Sequence, residues 1–183
     1  MKTTLMMLLV LAGTVHAQSM ALLGVTSASP VVDKVATPAV DAFSITELAR
    51  VIAAEAGGNY YSSLRAKTAV GAAMVNQIKR RFGVRVARAE HIQRILREQP
   101  GFLSSWQNRS LHTFYTRDAA WFRASGYSDC LVAARDALNG ADPSHGATNW
   151  YDQSISAPFR SGTATVTGHV RTAGPTLVFY RWN

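Results

Sequence analysis

A chain of 183 residues, 48% of them hydrophobic and only one of them cysteine, is long enough to bury a core of its own and has no internal disulfide to rely on. Its 19 Lys and Arg against 11 Asp and Glu give a formal charge of +8, which points to an anionic partner: nucleic acid, anionic lipid or an anionic wall polymer.

The first segment, "MKTTLMMLLVLAGTVHAQS", has Lys2, an apolar run from Leu5 to Val15, and small residues at Val15 and Ala17. This is the pattern of an export signal over residues 1–17, cleaved after Ala17. The run is short for a membrane span, and no later segment has eighteen consecutive apolar residues. We therefore expect no stable membrane span once the signal is removed. Loss of residues 1–17 takes away only Lys2, leaving 18 basic against 11 acidic residues. Export to the periplasm, cell wall or medium disfavours nucleic acid as the partner. Residues 18–43, rich in Ala, Ser, Thr, Val and Pro, read as a flexible linker, and 44–183 as the functional domain.

Ser44-Ile45-Thr46-Glu47 fits a capping box, so a helix is expected over about 45–56, with Ser44 as its N-cap and Gly57-Gly58 as its stop. Ile45, Leu48, Val51 and Ile52 mark its buried stripe. Glu55 continues that stripe, whereas Glu47 and Arg50 point elsewhere. Burial and the negative end of a helix both favour the protonated form of a carboxyl, which is the form a general acid needs. A glutamate at a frayed helix end that simply reaches water is the bland alternative, and periodicity alone makes Glu55 only a candidate.

A second helix is expected over 63–82, capped by Ser62 or Ser63 and ended by Gly83. Ala66, Ala69, Gly71, Ala72 and Ala73 give it a small-residue surface. Asn76 lies on that surface, to orient a loop or to bind substrate. Further helices are expected over about 89–98 and 128–139. Cys130, at the start of the latter, reads as a buried structural thiol. "TATVTGHV" and "TLVFYRW", separated by "RTAGP", read as two short strands of a hairpin. The fold class is thus mainly α, with a short C-terminal β-hairpin.

Four stretches in order resemble one family. "LARVIAAEAGGNYYSSLRAKTAVGAAMVNQIKRRF", "HIQRILREQPGFLSSW", "ARDALNGADPSHGATNWYD" and "VTGHVRTAGPTLVFYRW" are similar to successive segments of the SleB-type cell-wall hydrolases, which include spore-cortex-lytic enzymes. The resemblance covers roughly residues 45–183. It implies a small lysozyme-like or lytic-transglycosylase-like helical domain that acts on the glycan strands of peptidoglycan, with Glu55 as the catalytic acid. The chain departs from the family pattern at Asn59, Leu64-Arg65 and Asn76-Gln77, and residues 106–127 have no clear counterpart.

The resemblance implies cleavage of the glycan backbone by a single Glu acid/base, without a cofactor. Asp142 and Asp152 are the possible second carboxylates, Asp142 reading as a turn former and Asp152 as an ordinary loop residue. Tyr61, Asn76, Trp150 and Tyr151 are the expected substrate contacts, since rings stack on the apolar faces of sugars. Lys79, Arg80, Arg81, Arg85 and Arg88 would steer the protein to an anionic wall surface. A zinc amidase built on His145 and His169 with Asp142 or Asp152 lacks the usual ligand spacing, so no metal site is expected. An amidase that cuts between glycan and peptide, and a non-catalytic wall-binding protein of the same fold, are the competing functions.

Overall fold

A computed structural model describes residues 39–56, 63–98, 113–172 and 174–183. The described elements are helices α1 (Ala42–Ala56), α2 (Leu64–Phe82), α3 (Ala89–Glu98), α4 (Ala119–Ala124) and α5 (Ser128–Leu138), then strands β1 (Asn149–Asp152), β2 (Ala164–Val170) and β3 (Leu177–Trp182). The domain is mainly helical, with a small antiparallel sheet at its C-terminal end, as the sequence indicates.

α1 begins three residues ahead of the position expected from the capping box. Asp41 is the cap: its carboxylate accepts from the Ser44 amide and from the Ser44 hydroxyl, both at 2.7 Å. Those bonds, the amide first, hold the Asp41 carboxyl below its ordinary range. Ser44 is buried instead, and its Oγ accepts from the Ala89 amide at 2.9 Å, tying the starts of α1 and α3 together. The ordered domain therefore reaches into the stretch read as linker.

α2 follows its sequence signals closely. Ser63 Oγ accepts from the Ala66 amide at 3.1 Å, and Gly83 adopts φ 66° while its amide donates to Lys79 O at 3.0 Å. Lys79, Arg80 and Arg81 occupy the last turn, where cations complement the helix dipole.

The small-residue surface of α2 has a specific purpose. A Cβ on Gly71 would lie 2.8 Å from Ile52 Cδ1 and 3.2 Å from Ala137 Cβ, so α1, α2 and α5 meet where only hydrogen fits. Around that contact Leu48, Val51, Ile52, Met74, Val75, Ile78, Ile92, Ile95, Phe122 and Leu131 form the helical core.

The C-terminal sheet has the order β1-β3-β2, antiparallel throughout. The two strands read from sequence are β2 and β3. The third, β1, lies in "NWYD", which the sequence left as loop; it pairs Trp150 with Phe179 and Tyr151 with Val178. A second cluster joins the sheet to the helices: Ala56, Ala66, Ala69, Val70 and Ala73 with Ala147, Val170, Leu177 and Phe179. Trp150 packs against both clusters and bridges them.

Candidate functional site

The last turn of α1 lies where helices and sheet join. Ala56 is fully buried in the cluster that contains the start of α2 and the inner face of β3. Glu55, one residue earlier, is half-buried rather than enclosed. Tyr61, with Asn59 and Tyr60, lies outside the described residues.

The expected direction of Glu47 is corrected. Glu47 is only 2% exposed and forms an ion pair with Arg50, whose Nε donates to Arg117 O at 2.8 Å. α1 is covered by α3, by the segment leading into α4 and by the neighbours at Gly71, so its buried surface is far wider than one stripe. Glu47 belongs to this structural tie, whereas Glu55 is less deeply buried.

The motif "GADPSHGAT" builds a rigid connection between α5 and the sheet. Asp142 Oδ1 accepts from the Ser144 amide at 3.0 Å and the Ser144 hydroxyl at 2.5 Å; Oδ2 accepts from the Gly146 amide at 2.8 Å and from Asn76 Nδ2 at 3.1 Å. Partial burial works to raise the Asp142 pKa, but the bonds from Ser144, Asn76 and Gly146 together outweigh it and hold the carboxyl below its ordinary 3.8. Gly140 at φ 101° and Gly146 at φ 80° supply backbone that other residues adopt at a cost, and His145 shares the left-handed region at φ 54°. On the sheet side, Thr167 Oγ1 donates to Ser144 O at 2.7 Å and the Thr148 amide to Tyr180 O at 3.0 Å.

This geometry assigns Asn76. Its Nδ2 donates to Asp142 and, at 3.1 Å, to Ala147 O, so the amide nitrogen orients the loop. Of the two uses the sequence left open for Asn76, the observed bonds are the structural one. Asp142 is the turn former its Asp-Pro context suggests. Asp152 Oδ1 accepts from the Ser154 amide at 2.7 Å, at the end of β1.

Trp150 and Tyr151 do not share a surface. Successive residues of a strand project to opposite faces. Trp150 faces the helices with Phe179, whereas Tyr151 lies on the outer face, with its ring 6.0 Å from Tyr180 and 5.9 Å from Phe159. Only Trp150 lies on the Glu55 side of the sheet, so the pairing of the two rings in one sugar cleft is corrected. His145 and His169 are both exposed, His145 with its ring packed against Gly168. Among the described residues no group of three His, Cys, Asp or Glu comes close enough to hold a metal ion.

One charged feature gave no sequence signal. Lys67, in the first turn of α2, is 4% exposed, and its Nζ contacts Asp129 Oδ2 at 2.5 Å. Asp129 Oδ1 is buried without a hydrogen bond. The neighbouring Cys130 thiol is pushed up to about 12, chiefly by burial, with Lys67 opposing and Asp129 reinforcing the shift. Cys130 is therefore the inert structural thiol anticipated from its place in the helix. Spacing could have placed Lys67 four residues before Gly71 on the same face, but a lysine is ordinarily assigned to solvent.

No family model, no curated protein and no solved structure matches this chain.

Proposed function

We propose that this protein cleaves the glycan backbone of peptidoglycan, with Glu55 as its single acid/base group. The observation that carries the reading is the position of Glu55: a half-buried glutamate on the final turn of α1, beside Ala56 in the packed junction of helices and sheet. The resemblance of four ordered segments to the SleB-type cell-wall hydrolases supplies the substrate class. The mainly helical fold with a small terminal sheet agrees with what that resemblance implies.

In this reading the Glu55 carboxyl protonates the glycosidic oxygen as the bond to the anomeric carbon breaks. The resulting carboxylate accepts the proton of the sugar's own 6-hydroxyl while that oxygen attacks the same carbon. The product is a 1,6-anhydro sugar, no water is consumed, and Glu55 regains its proton. A second carboxylate is not required, in contrast to ordinary glycoside hydrolysis. Positioned proton transfer of this kind is worth roughly 10²–10⁴-fold in rate. Trp150 would form the aromatic side of the site, held against Phe179 by the sheet. The basic surface around Lys79, Arg80 and Arg85 would favour an anionic wall, with a contribution that falls as salt rises.

Digestion of purified sacculi, followed by mass spectrometry of the released fragments, tests the proposal. Anhydro-muropeptides are expected. Peptides freed from intact glycan would indicate an amidase instead, and binding without release would indicate a wall-binding protein.

A further inference from the structure

α5 ends on the one Asn-Gly step in the sequence, Asn139-Gly140. This dipeptide carries a chemistry of its own. The Gly140 amide nitrogen can attack the side-chain carbonyl carbon of Asn139 and close a five-membered imide; the nitrogen's proton leaves with the carboxamide nitrogen as ammonia. Water then opens the ring at either carbonyl. The product is aspartate or, where the main chain now runs through the former side chain, isoaspartate. Glycine is the least obstructed nucleophile for this step because it has no Cβ. Water is the only co-reactant, and both residues are exposed to it.

The end of the helix controls the step. Gly140, at φ 101°, turns the chain out of α5. Its amide donates to Ala137 O at 3.1 Å, and the Ala141 amide donates to Asp136 O at 2.9 Å. These are the two paired bonds of a Schellman cap. Asn139 sits at φ −81° and ψ 1°, and its own amide donates to Arg135 O at 2.9 Å. A ψ near zero eclipses the Gly140 nitrogen with the Asn139 nitrogen and turns it away from Cβ and Cγ. Ring closure therefore needs a large rotation of ψ, which breaks both cap bonds.

Packing adds no second lock at Gly140. A Cβ placed there would meet nothing within 4 Å among the described residues. A helix end held by its own hydrogen bonds opens far more readily than the whole domain unfolds.

We propose that Asn139 is a latent deamidation site, gated by the Schellman cap of α5. Once made, the change persists. It puts a carboxylate at the negative end of the helix, three residues after Asp136 and three before Asp142. Arg135, one turn back, offsets part of that charge. Isoaspartate also adds a methylene to the main chain, so the cap no longer closes in register. The Asp142 loop that ties α5 to the sheet begins directly after this cap, and it loses its fixed starting point. The proposal does not depend on the function proposed above.

The test incubates the full-length protein at pH 8, native and in urea, and follows the peptide containing residue 139 by mass spectrometry with fragmentation that separates aspartate from isoaspartate. Both products should form in urea. Native conversion should be slower by about 10-fold or more. Ala141→Pro removes one cap donor and should speed native conversion about 2- to 10-fold, the worth of one hydrogen bond. Because that change could disturb the fold, a temperature series on the wild-type protein gives a second reading. Hydrogen exchange at the Gly140 amide should rise in step with conversion, while exchange at the core amide of Ile52 stays slower. Equal rates in native and unfolded protein overturn the proposal. So does a wild-type rate in folded Ala141→Pro, conversion that tracks Ile52 exchange instead, or an unreactive Asn139 in urea.

Discussion

Replacing Asp142 by Ala should loosen the connection between α5 and the sheet. Four donors converge on this carboxylate, from Ser144 (amide and hydroxyl), Gly146 and Asn76. Hydrogen bonds to a charged acceptor are worth about 1.5–3 kcal/mol each when buried, but Asp142 is only partly buried and its two oxygens share the four donors. A discounted total of about 2–4 kcal/mol follows for Asp142→Ala at neutral pH. Asn76→Ala should cost about 1–3 kcal/mol, because it also strips a donor from the fully buried Ala147 carbonyl. The two changes share one bond, so the double variant should lose about 0.5–1.5 kcal/mol less than the sum. Acidity provides the sharper check. The folded carboxyl titrates below its ordinary 3.8, so its charge-dependent contribution is complete above that value and is lost as pH falls through the lower folded pKa. Urea unfolding of wild type and Asp142→Ala across neutral to acidic pH measures this. The stability gap should narrow on the acid side. A gap under about 0.5 kcal/mol at neutral pH, or one that does not change with pH, would refute the reasoning.

Gly71→Ala sets a helix-propensity gain of about 1 kcal/mol against overpacking of about 1–3 kcal/mol from Ile52 and Ala137; thermal unfolding should show a small net loss, and a net gain would mean that Ile52 has room to turn. Asp129→Ala strands the buried Lys67 ammonium and should cost about 2–4 kcal/mol after allowance for the partial exposure of Asp129, whereas Lys67→Met with Asp129→Leu should recover most of the loss in denaturant titrations. Cys130 should resist alkylation in the native protein at pH 8 and react promptly in urea, as thiol labelling followed by mass spectrometry would show. Phe179→Ala removes the largest side chain of the sheet-side core and should cost about 3–5 kcal/mol in the same unfolding assays.

Signals contained in adjacent residues were the legible ones. Ser63 and Gly83 bound α2 as their chemistry dictates, and the alternating run after Ala164 gave its strand directly. Signals that depend on distant partners were not. The Ser44–Glu47 spacing imitates a capping box, but Ser44 is drawn inward by the Ala89 amide and Asp41 caps the helix instead. Glu47 falls off the buried stripe because a single periodic stripe presumes one covered side, and α1 is covered on several. β1 is four residues long and exists because β3 offers it a partner. The same ladder sends Trp150 and Tyr151 to opposite faces, a consequence of strand geometry that a loop assignment conceals. For Glu55, the sequence placed the residue in the last turn of α1, as observed, but the stripe it continues implied deeper burial than the half-buried position it occupies.

The most direct test of the central claim is the rate at which Glu55→Gln releases soluble fragments from purified sacculi, with folding verified by its melting temperature. The account predicts a fall of roughly 10²–10⁴-fold with near-normal sacculus binding. Release of anhydro-muropeptides at the wild-type rate by the folded Gln variant would contradict it.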